Sequence, residues 1–105
     1  MINCYRDEEG CFRVDANDLH PLIAAYLEQD VQRSLSACQN LLDILEDVKA
    51  GHRAEWSGTG NAHTVTIRPE AVVIHNEWDD GLGDAHLPCD VFRDCIEAWK
   101  ACISS

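Results

Sequence analysis

Apolar and polar residues alternate in two short segments at the start of the chain, which is the pattern of half-buried β-strands. These segments are residues 2–7 and 11–16, with Glu8, Glu9 and Gly10 between them. Glycine readily takes the left-handed conformation that closes a three-residue hairpin loop. The pattern therefore predicts an N-terminal β-hairpin. Its core face carries Ile2, Cys4, Phe12 and Val14, and its opposite face carries Asn3, Tyr5, Cys11, Arg13 and Asp15.

A longer segment, residues 30–50, has apolar residues at alternating gaps of four and three, the spacing of one face of an α-helix. Asp30 favours the helix start through side-chain capping or the helix dipole, and Gly51 provides the stop. The sequence therefore predicts a central amphipathic helix. Its apolar face consists of Val31, Leu35, Cys38, Leu42, Leu45 and Val48.

The apolar segment before this helix, residues 19–27, has two interpretations. It is short, and Pro21 lies near its start. An edge strand and a lead-in to the central helix both fit such a pattern. The residues themselves leave the choice open.

The strongest strand pattern lies in the second half of the chain, where β-branched residues alternate with polar ones. It predicts strands over residues 63–68 and 71–78, joined by a turn at Pro69 and Glu70. Residues 57–61 are rich in Ser, Gly and Thr, which predicts a connecting loop. Core-facing positions are Val65 and Ile67 on the first strand, and Val72, Ile74 and Trp78 on the second.

Pro88 opens the last predicted element, because proline is favoured in the first turn of a helix. The order of strands, helix, strands and helix predicts one α+β domain over residues 1–105. In this domain a mostly antiparallel sheet lies under two helices, in a two-layer arrangement. The apolar positions of the last helix are Val91, Phe92, Cys95, Ile96, Trp99 and Ile103.

The charge balance excludes several classes of partner. The chain has 19 Asp and Glu against 8 Lys and Arg, a formal net charge of -11. A field this negative repels phosphate backbones and anionic lipid head groups, so we expect no binding to nucleic acids or membranes. Dispersal in solution is the alternative use of the charge. Without an export signal or a membrane-length apolar run, we expect a cytoplasmic protein.

The acidic residues are concentrated rather than spread. Between Arg68 and Arg93, residues 69–92 hold six acidic residues and no Lys or Arg. If the fold places them together, they form a negative surface suited to a basic partner. Trp78 is a candidate aromatic anchor beside the acidic loop, with core packing as its alternative use. The candidate contact residues are Glu77, Asp79, Asp80 and Asp84, and the second choice is Asp43, Glu46 and Asp47 on the central helix.

Residues typical of catalysis or metal binding are present without the spacing that either needs. The six cysteines contain no Cys-x-x-Cys pair and the five histidines no close pair, so we predict no metal site and no cofactor. We expect the cysteines to be buried free thiols, since nothing indicates an oxidising compartment. Acidic surroundings raise the pKa of a thiol and disfavour a cysteine nucleophile. The chain is therefore predicted not to be an enzyme.

Short motifs along most of the chain provide a further indication. They are Tyr5-Arg6-Asp7 with Gly10, Tyr26-Leu27-Glu28 before Val31 and Leu35, Gly51, Trp56, Gly60, His63-Thr64, Glu70-Ala71-Val72, Asn76, and the helix around Phe92 and Trp99. This series resembles the YacL-like family and the related CdiI immunity proteins of contact-dependent growth inhibition. The resemblance implies that residues 19–27 are a further strand.

The same resemblance implies a function. An immunity protein of this kind binds the toxic C-terminal region of a CdiA effector and blocks its active site, with no turnover and no cofactor. Nuclease toxins attract phosphate and commonly have basic clefts, which an acidic inhibitor complements. Two other roles fit the same charge: a housekeeping YacL-like domain with a different partner, and a DNA mimic that binds another basic protein.

Overall fold

Strands and helices alternate in groups along the chain, as the predicted α+β class requires. The computed structural model describes residues 2–15, 19–79, 81 and 83–104. The strands are β1 (Asn3–Arg6), β2 (Phe12–Asp15), β3 (Trp56–Thr59), β4 (His63–Ile67), β5 (Val72–Asn76) and β6 (Ala85–Leu87). The helices are α1 (Pro21–Tyr26), a π-helix (Leu27–Val31), α2 (Leu35–Lys49) and α3 (Cys89–Ile103). The α+β class is confirmed.

β1 and β2 form the predicted N-terminal hairpin, a separate two-stranded antiparallel sheet. In its loop, Oδ1 of Asp7 accepts hydrogen bonds from the backbone N–H groups of Cys11 and Glu9, both at 2.9 Å. The bond from Cys11, followed by the contact with Arg13, lowers the pKa of the Asp7 carboxyl below its usual value. The core face matches the prediction, since Ile2, Phe12 and Val14 are buried and Cys4 packs against the same core.

The cysteines differ from the prediction of uniformly buried free thiols. Cys4 and Cys102 form a disulfide that joins β1 to α3, with the two Cα atoms 6.2 Å apart. Cys38 and Cys95 are buried free thiols as expected, whereas Cys11 is exposed and Cys89 half-buried. The core face of the hairpin places Cys4 against α3, and a separation of 98 residues hides that proximity in the sequence.

Replacing Cys4 with Ser should lower the free energy of unfolding by about 2–4 kcal/mol, because the disulfide restricts the unfolded chain. Denaturant titration of the oxidised wild type and of Cys4→Ser measures the difference. Cys102→Ser and the reduced wild type should match Cys4→Ser. The control is Cys11→Ser, which changes an exposed free thiol. Equal stability of Cys4→Ser and the oxidised wild type would contradict this expectation.

Residues 21–31 are helical, so the strand that the resemblance implied for residues 19–27 is wrong. Nδ1 of His20 accepts a hydrogen bond from the backbone N–H of Leu22 at 3.1 Å, and Pro21 occupies the first helical position. Proline is favoured there because its missing N–H would have no helical partner anyway. Helical spacing brings Leu22, Ile23, Tyr26, Leu27 and Val31 into the core.

α2 begins later than the predicted start at Asp30. Gln32 has a φ of 54°, which interrupts the helical segment after the π-helix. The Ser34 hydroxyl then accepts a hydrogen bond from the backbone N–H of Ala37 at 3.1 Å and caps the new helix. Gly51, at a φ of 81°, follows the end of α2 as predicted. The buried face consists of Cys38, Leu41, Ile44, Leu45 and Val48, whereas the predicted Leu35 is exposed and Leu42 is partly buried.

The second sheet has the strand order β3-β4-β5-β6 and is antiparallel throughout. β4 and β5 confirm the predicted hairpin. β3 falls on residues predicted as a loop, and β6 was not predicted at all. Trp78 is not on the core face, because β5 ends at Asn76 and the indole is exposed. The buried face carries Val65, Ile67, Val72, Ile74, Ala85 and Leu87.

α3 follows Pro88 as predicted and buries Phe92, Cys95, Ile96 and Trp99. These side chains join those of α1, the π-helix, α2 and the buried sheet face in one hydrophobic core. The helices therefore cover one face of the four-stranded sheet, and the other face is open. In the described part of the chain, no helix has the length and apolar content needed to cross a membrane.

Candidate partner-binding surface

The acidic loop that follows β5 presents an exposed but well-anchored tryptophan. Trp78 is 80% exposed, more than any other large hydrophobic residue that the structure describes. Oδ1 of Asn76 accepts hydrogen bonds from the backbone N–H groups of Trp78 at 2.8 Å and Asp79 at 2.9 Å. The indole Nε1–H donates to the carbonyl oxygen of Asn61 at 3.1 Å. The backbone and the ring are thus both held in place.

Two of the predicted contact residues meet on the open face of the sheet. Nδ1 of His75 lies 2.6 Å from Oδ1 of Asp84, and its Nε2 lies 3.9 Å from Oε2 of Glu77. The hydroxyl of Thr64 donates to the same Glu77 oxygen at 2.6 Å. Oδ1 of Asp79 accepts a hydrogen bond from the backbone N–H of Gly81 at 3.0 Å. The fold therefore brings Glu77 and Asp84 together across His75. Asp80 lies outside the described residues.

The second-choice carboxylates lie on the exposed side of α2, in the helical layer rather than on the sheet. Asp43 accepts a hydrogen bond from Gln39 at 2.9 Å. Glu46 lies 3.6 Å from Arg93, and Asp47 lies 4.0 Å from Arg53 and 3.9 Å from His52. Basic side chains thus partly neutralise this group. It is a separate surface from the one around Trp78.

A buried, hydrogen-bonded pair of Asp30 and His63 lies beneath the Trp78 loop. The Asp30 side chain is 3% exposed and that of His63 is 0% exposed, with Oδ1 of Asp30 3.1 Å from Nδ1 of His63. The other Asp30 oxygen, Oδ2, accepts hydrogen bonds from the backbone N–H groups of His63 at 2.9 Å and Ala62 at 3.4 Å. Nδ2 of Asn76 lies 3.3 Å from Nε2 of His63. These contacts connect the π-helix to β4, β5 and the loop that carries Trp78.

The turn between β3 and β4 closes around the Asp30 carboxylate. A Cβ atom added to Gly60 would lie 2.6 Å from Oδ2 of Asp30, so glycine is required for this approach. Sequence reasoning treated Asp30 as a helix-capping residue and missed its pairing with His63, which is 33 residues away. His63, Asn76 and Gly60 are among the motifs that resemble the YacL-like family, and this was the sequence signal that pointed to the site.

The free thiols are the remaining groups with possible reactivity. Burial raises the pKa of the Cys38, Cys89 and Cys95 thiols above the ordinary value, which keeps them protonated at neutral pH. The half-buried Cys89 also lies with its Sγ 3.0 Å from the carbonyl oxygen of Arg68. Among the described residues, no three His, Cys, Asp or Glu side chains form a group that could hold a metal ion.

Residues 3–81 match the model of an uncharacterised protein family, UPF0231. The chain belongs to the UPF0231 family. This is the YacL-like family that the sequence motifs resembled. No curated protein and no solved structure matches the chain.

The part of the chain that matches UPF0231 contains Trp78 and the residues that hold its loop. It runs from β1 to Gly81, and so includes Asp30, His63 and Asn76. Asp84 and α3 lie beyond it. In this UPF0231 protein, the match therefore covers Glu77, Trp78 and Asp79 but not Asp84.

Proposed function

We propose that this protein is an immunity protein that binds the toxic C-terminal region of a CdiA-type effector and blocks its basic, nuclease-type active site. The observation that carries the proposal is Trp78, which is 80% exposed and held by hydrogen bonds between two acidic neighbours, Glu77 and Asp79. An exposed tryptophan whose backbone and ring are both hydrogen-bonded loses little conformational freedom when a partner covers it. Tryptophan is also one of the residues enriched at the energetic centres of protein interfaces, with tyrosine and arginine.

Charge complements this anchor. Glu77 and Asp84 lie on the same open sheet face, on either side of His75. A nuclease cleft must attract phosphate, so a negative surface meets it with a favourable long-range field. Such a field accelerates association and orients the two proteins before contact. The Trp78 side chain then supplies the short-range contact that slows dissociation.

Co-expression is the direct test of the proposal. The toxin domain would be the one encoded immediately upstream of the gene for this chain, produced with and without this protein in the same cells. We expect rescued growth and co-purification of a stoichiometric complex. Growth arrest despite stable expression of both chains, together with the absence of a complex, would overturn the immunity role.

Charge reversal on the sheet face should slow association with the toxin domain by about tenfold or more at low salt. This variant, the sheet-face variant, carries Glu77→Lys and Asp84→Lys on the open sheet face and Asp79→Lys beside Trp78. Stopped-flow association rates at about 50 mM and 500 mM salt measure the effect, because the Debye length shortens several-fold over this range. The salt dependence of the wild type should be much weaker in the variant.

The matched control for this prediction is Asp43→Lys, Glu46→Lys and Asp47→Lys on α2. It changes the net charge by the same amount on a surface whose acids already contact Gln39, Arg53 and Arg93. We expect a smaller loss of rate for the control. Equal rates for both variants would mean that net charge, and not the Trp78 surface, drives the encounter.

Membership of UPF0231 also fits two other roles for the same acidic surface: a housekeeping domain with a different partner, and a DNA mimic that binds another basic protein. Affinity capture from a host lysate separates these roles from immunity. Recovery of a DNA-binding protein, lost in the sheet-face variant but retained in the α2 variant, would favour the DNA mimic over immunity.

A further inference from the structure

The conformation of the Trp78 loop depends on the orientation of one side-chain amide. Oδ1 of Asn76 lies 2.8 Å from the backbone nitrogen of Trp78 and 2.9 Å from that of Asp79. Backbone N–H groups only donate hydrogen bonds, so this end of the amide must be the oxygen. The NH2 end of Asn76 therefore faces the other way, toward His63.

The amide orientation determines the protonation state of the imidazole. Nδ2 of Asn76 lies 3.3 Å from Nε2 of His63 and has only hydrogens to offer. Nε2 must accept, and so carries no proton. The opposite ring nitrogen, Nδ1, lies 3.1 Å from Oδ1 of Asp30, so its N–H donates a hydrogen bond to this carboxylate. His63 is thus neutral, with its proton on Nδ1.

We propose that the buried pair of Asp30 and His63 positions Trp78 for its partner by fixing the orientation of the Asn76 amide. His63 is a positioning residue in this scheme, since it is fully buried and acts on the Trp78 loop through Asn76. The binding of a partner by Trp78 rests on the proposed function, whereas the support of the Trp78 loop by His63 and Asn76 does not. It explains why a fully buried histidine lies under an exposed, charged loop.

The surroundings of His63 suit this role. The groups that face its ring are the Asp30 carboxylate from the π-helix, the Asn76 amide from β5 and the Tyr26 ring from α1. The Tyr26 ring lies 6.0 Å away between centroids, at an angle of 84°, in an edge-to-face arrangement. Asp30 is in turn fixed by backbone donors on Ala62 and His63. The imidazole therefore has one position and one tautomer in which all its partners are satisfied.

The tautomer is directly measurable. Nitrogen-15 NMR of histidine-labelled protein at neutral pH should show His63 with a protonated Nδ1 and an unprotonated Nε2. A protonated Nε2 would overturn the inference, because Asn76 would then have to turn its oxygen inward and release the loop. The measurement needs no partner and no substitution.

The coupling to the loop is tested with Asn76→Ala. Loss of the amide should speed hydrogen exchange at the Trp78 and Asp79 backbone amides by about tenfold, the loss expected for one hydrogen bond. The amides of Val65 and Ile74 in the sheet core should not change. The matched control is Asn61→Ala, which removes a side-chain bond to Gln29 but keeps the carbonyl that accepts from the Trp78 indole. Unchanged exchange at Trp78 and Asp79 in Asn76→Ala would overturn the coupling.

Asn76→Asp distinguishes the proposed positioning role of His63 from a purely structural role. The carboxylate still accepts from Trp78 and Asp79, but its second oxygen now faces the lone pair on Nε2 of neutral His63. Protonation of His63 replaces this repulsion with a hydrogen bond. Nitrogen-15 NMR of Asn76→Asp at neutral pH should therefore show both ring nitrogens of His63 protonated, in contrast to the wild type. An unprotonated Nε2 in this variant would contradict the proposed role of His63.

Binding provides the final test and separates this inference from the proposed function. Asn76→Ala should weaken binding of the upstream-encoded toxin domain by about tenfold, mainly through faster dissociation. Unchanged affinity despite a loosened loop would overturn the positioning role. If the wild type does not bind this toxin, the immunity function fails, while the NMR and exchange results still decide whether His63 holds the loop.

Discussion

Asp30→Ala should lower the free energy of unfolding by about 3–5 kcal/mol, because it removes the shared acceptor of several buried donors and each donor left unsatisfied costs about 1–3 kcal/mol. The Asp30 carboxylate accepts from Nδ1 of His63 and from the backbone N–H groups of Ala62 and His63. Alanine would leave these donors without an acceptor in a site that water scarcely reaches. Denaturant titration followed by circular dichroism measures the loss.

The control for this substitution is Asp43→Ala. Asp43 is an exposed carboxylate on α2 with a hydrogen bond from Gln39, so its removal should cost no more than about 0.5 kcal/mol. Asp30→Ala with the stability of Asp43→Ala would contradict the importance of the buried pair. The comparison holds the type of substitution constant and changes only the burial and the number of donors.

Gly60→Ala provides an independent test of the same site. Its Cβ would lie 2.6 Å from Oδ2 of Asp30, so the carboxylate must move and its hydrogen bonds must distort. We expect a cost of about 1–3 kcal/mol in the wild type. In the Asp30→Ala background the cost should largely disappear, because the clashing oxygen is gone. An additive double-mutant cycle would refute the contact.

Trp99→Ala should also lower the free energy of unfolding by about 3–5 kcal/mol, as truncation of a large buried aromatic side chain does. Trp99 is 1% exposed and packs edge-to-face on Phe12, with centroids 6.4 Å apart at 76°. Its indole Nε1–H also donates to the carbonyl oxygen of Gln32 at 2.7 Å. Gln32 interrupts the helical conformation between the π-helix and α2. Trp99 therefore connects α3 to this junction.

Two substitutions separate the contributions of Trp99. Trp99→Phe keeps an aromatic ring but removes the donor to Gln32, and should cost about 1–3 kcal/mol. Trp78→Ala removes an equally large side chain from an exposed position, and should leave stability nearly unchanged while weakening partner binding. If Trp78→Ala unfolds the protein as readily as Trp99→Ala, the division between a core tryptophan and a surface tryptophan is wrong.

Elements with a strong local pattern were predictable from the sequence. The N-terminal hairpin, the strands at Val65 and Ile74, and the helix around Trp99 all have apolar residues at the period of their own structure. β3 has no such pattern, because Ser57, Gly58 and Thr59 form a strand only by pairing with β4. Its hydroxyl side chains pair with Thr66 and Thr64 across the sheet. Local propensity carries no information about that partner.

The helix at residues 21–31 is hidden in the sequence for a different reason. Its apolar side chains recur at helical spacing, but residues 19–27 alone are too short to separate an edge strand from a lead-in to the central helix. The strand is implied only by the resemblance. With the segment extended to Val31, the helical spacing becomes visible and Pro21 fits the first turn of a helix.

Candidate carboxylates were predictable as a group, but their arrangement was not. Sequence reasoning placed Glu77 and Asp84 in one acidic stretch, and the fold brings both to His75. The same reasoning allowed the acids of α2 to join them, yet these lie in the helical layer. Trp78 was a candidate anchor with core packing as the alternative, and its exposure excludes the core.

The sequence by itself determined the α+β class, the two hairpins, the closing helix and the concentration of negative charge, because these depend on local periodicity and composition. Only the tertiary structure decided the Cys4–Cys102 disulfide, the pairing of Asp30 with His63 and the support of Trp78 through Asn76. The first two join residues 98 and 33 positions apart, and the support of Trp78 reaches back to Asp30 through His63. Such contacts form only when separate elements pack together, so no local pattern records them.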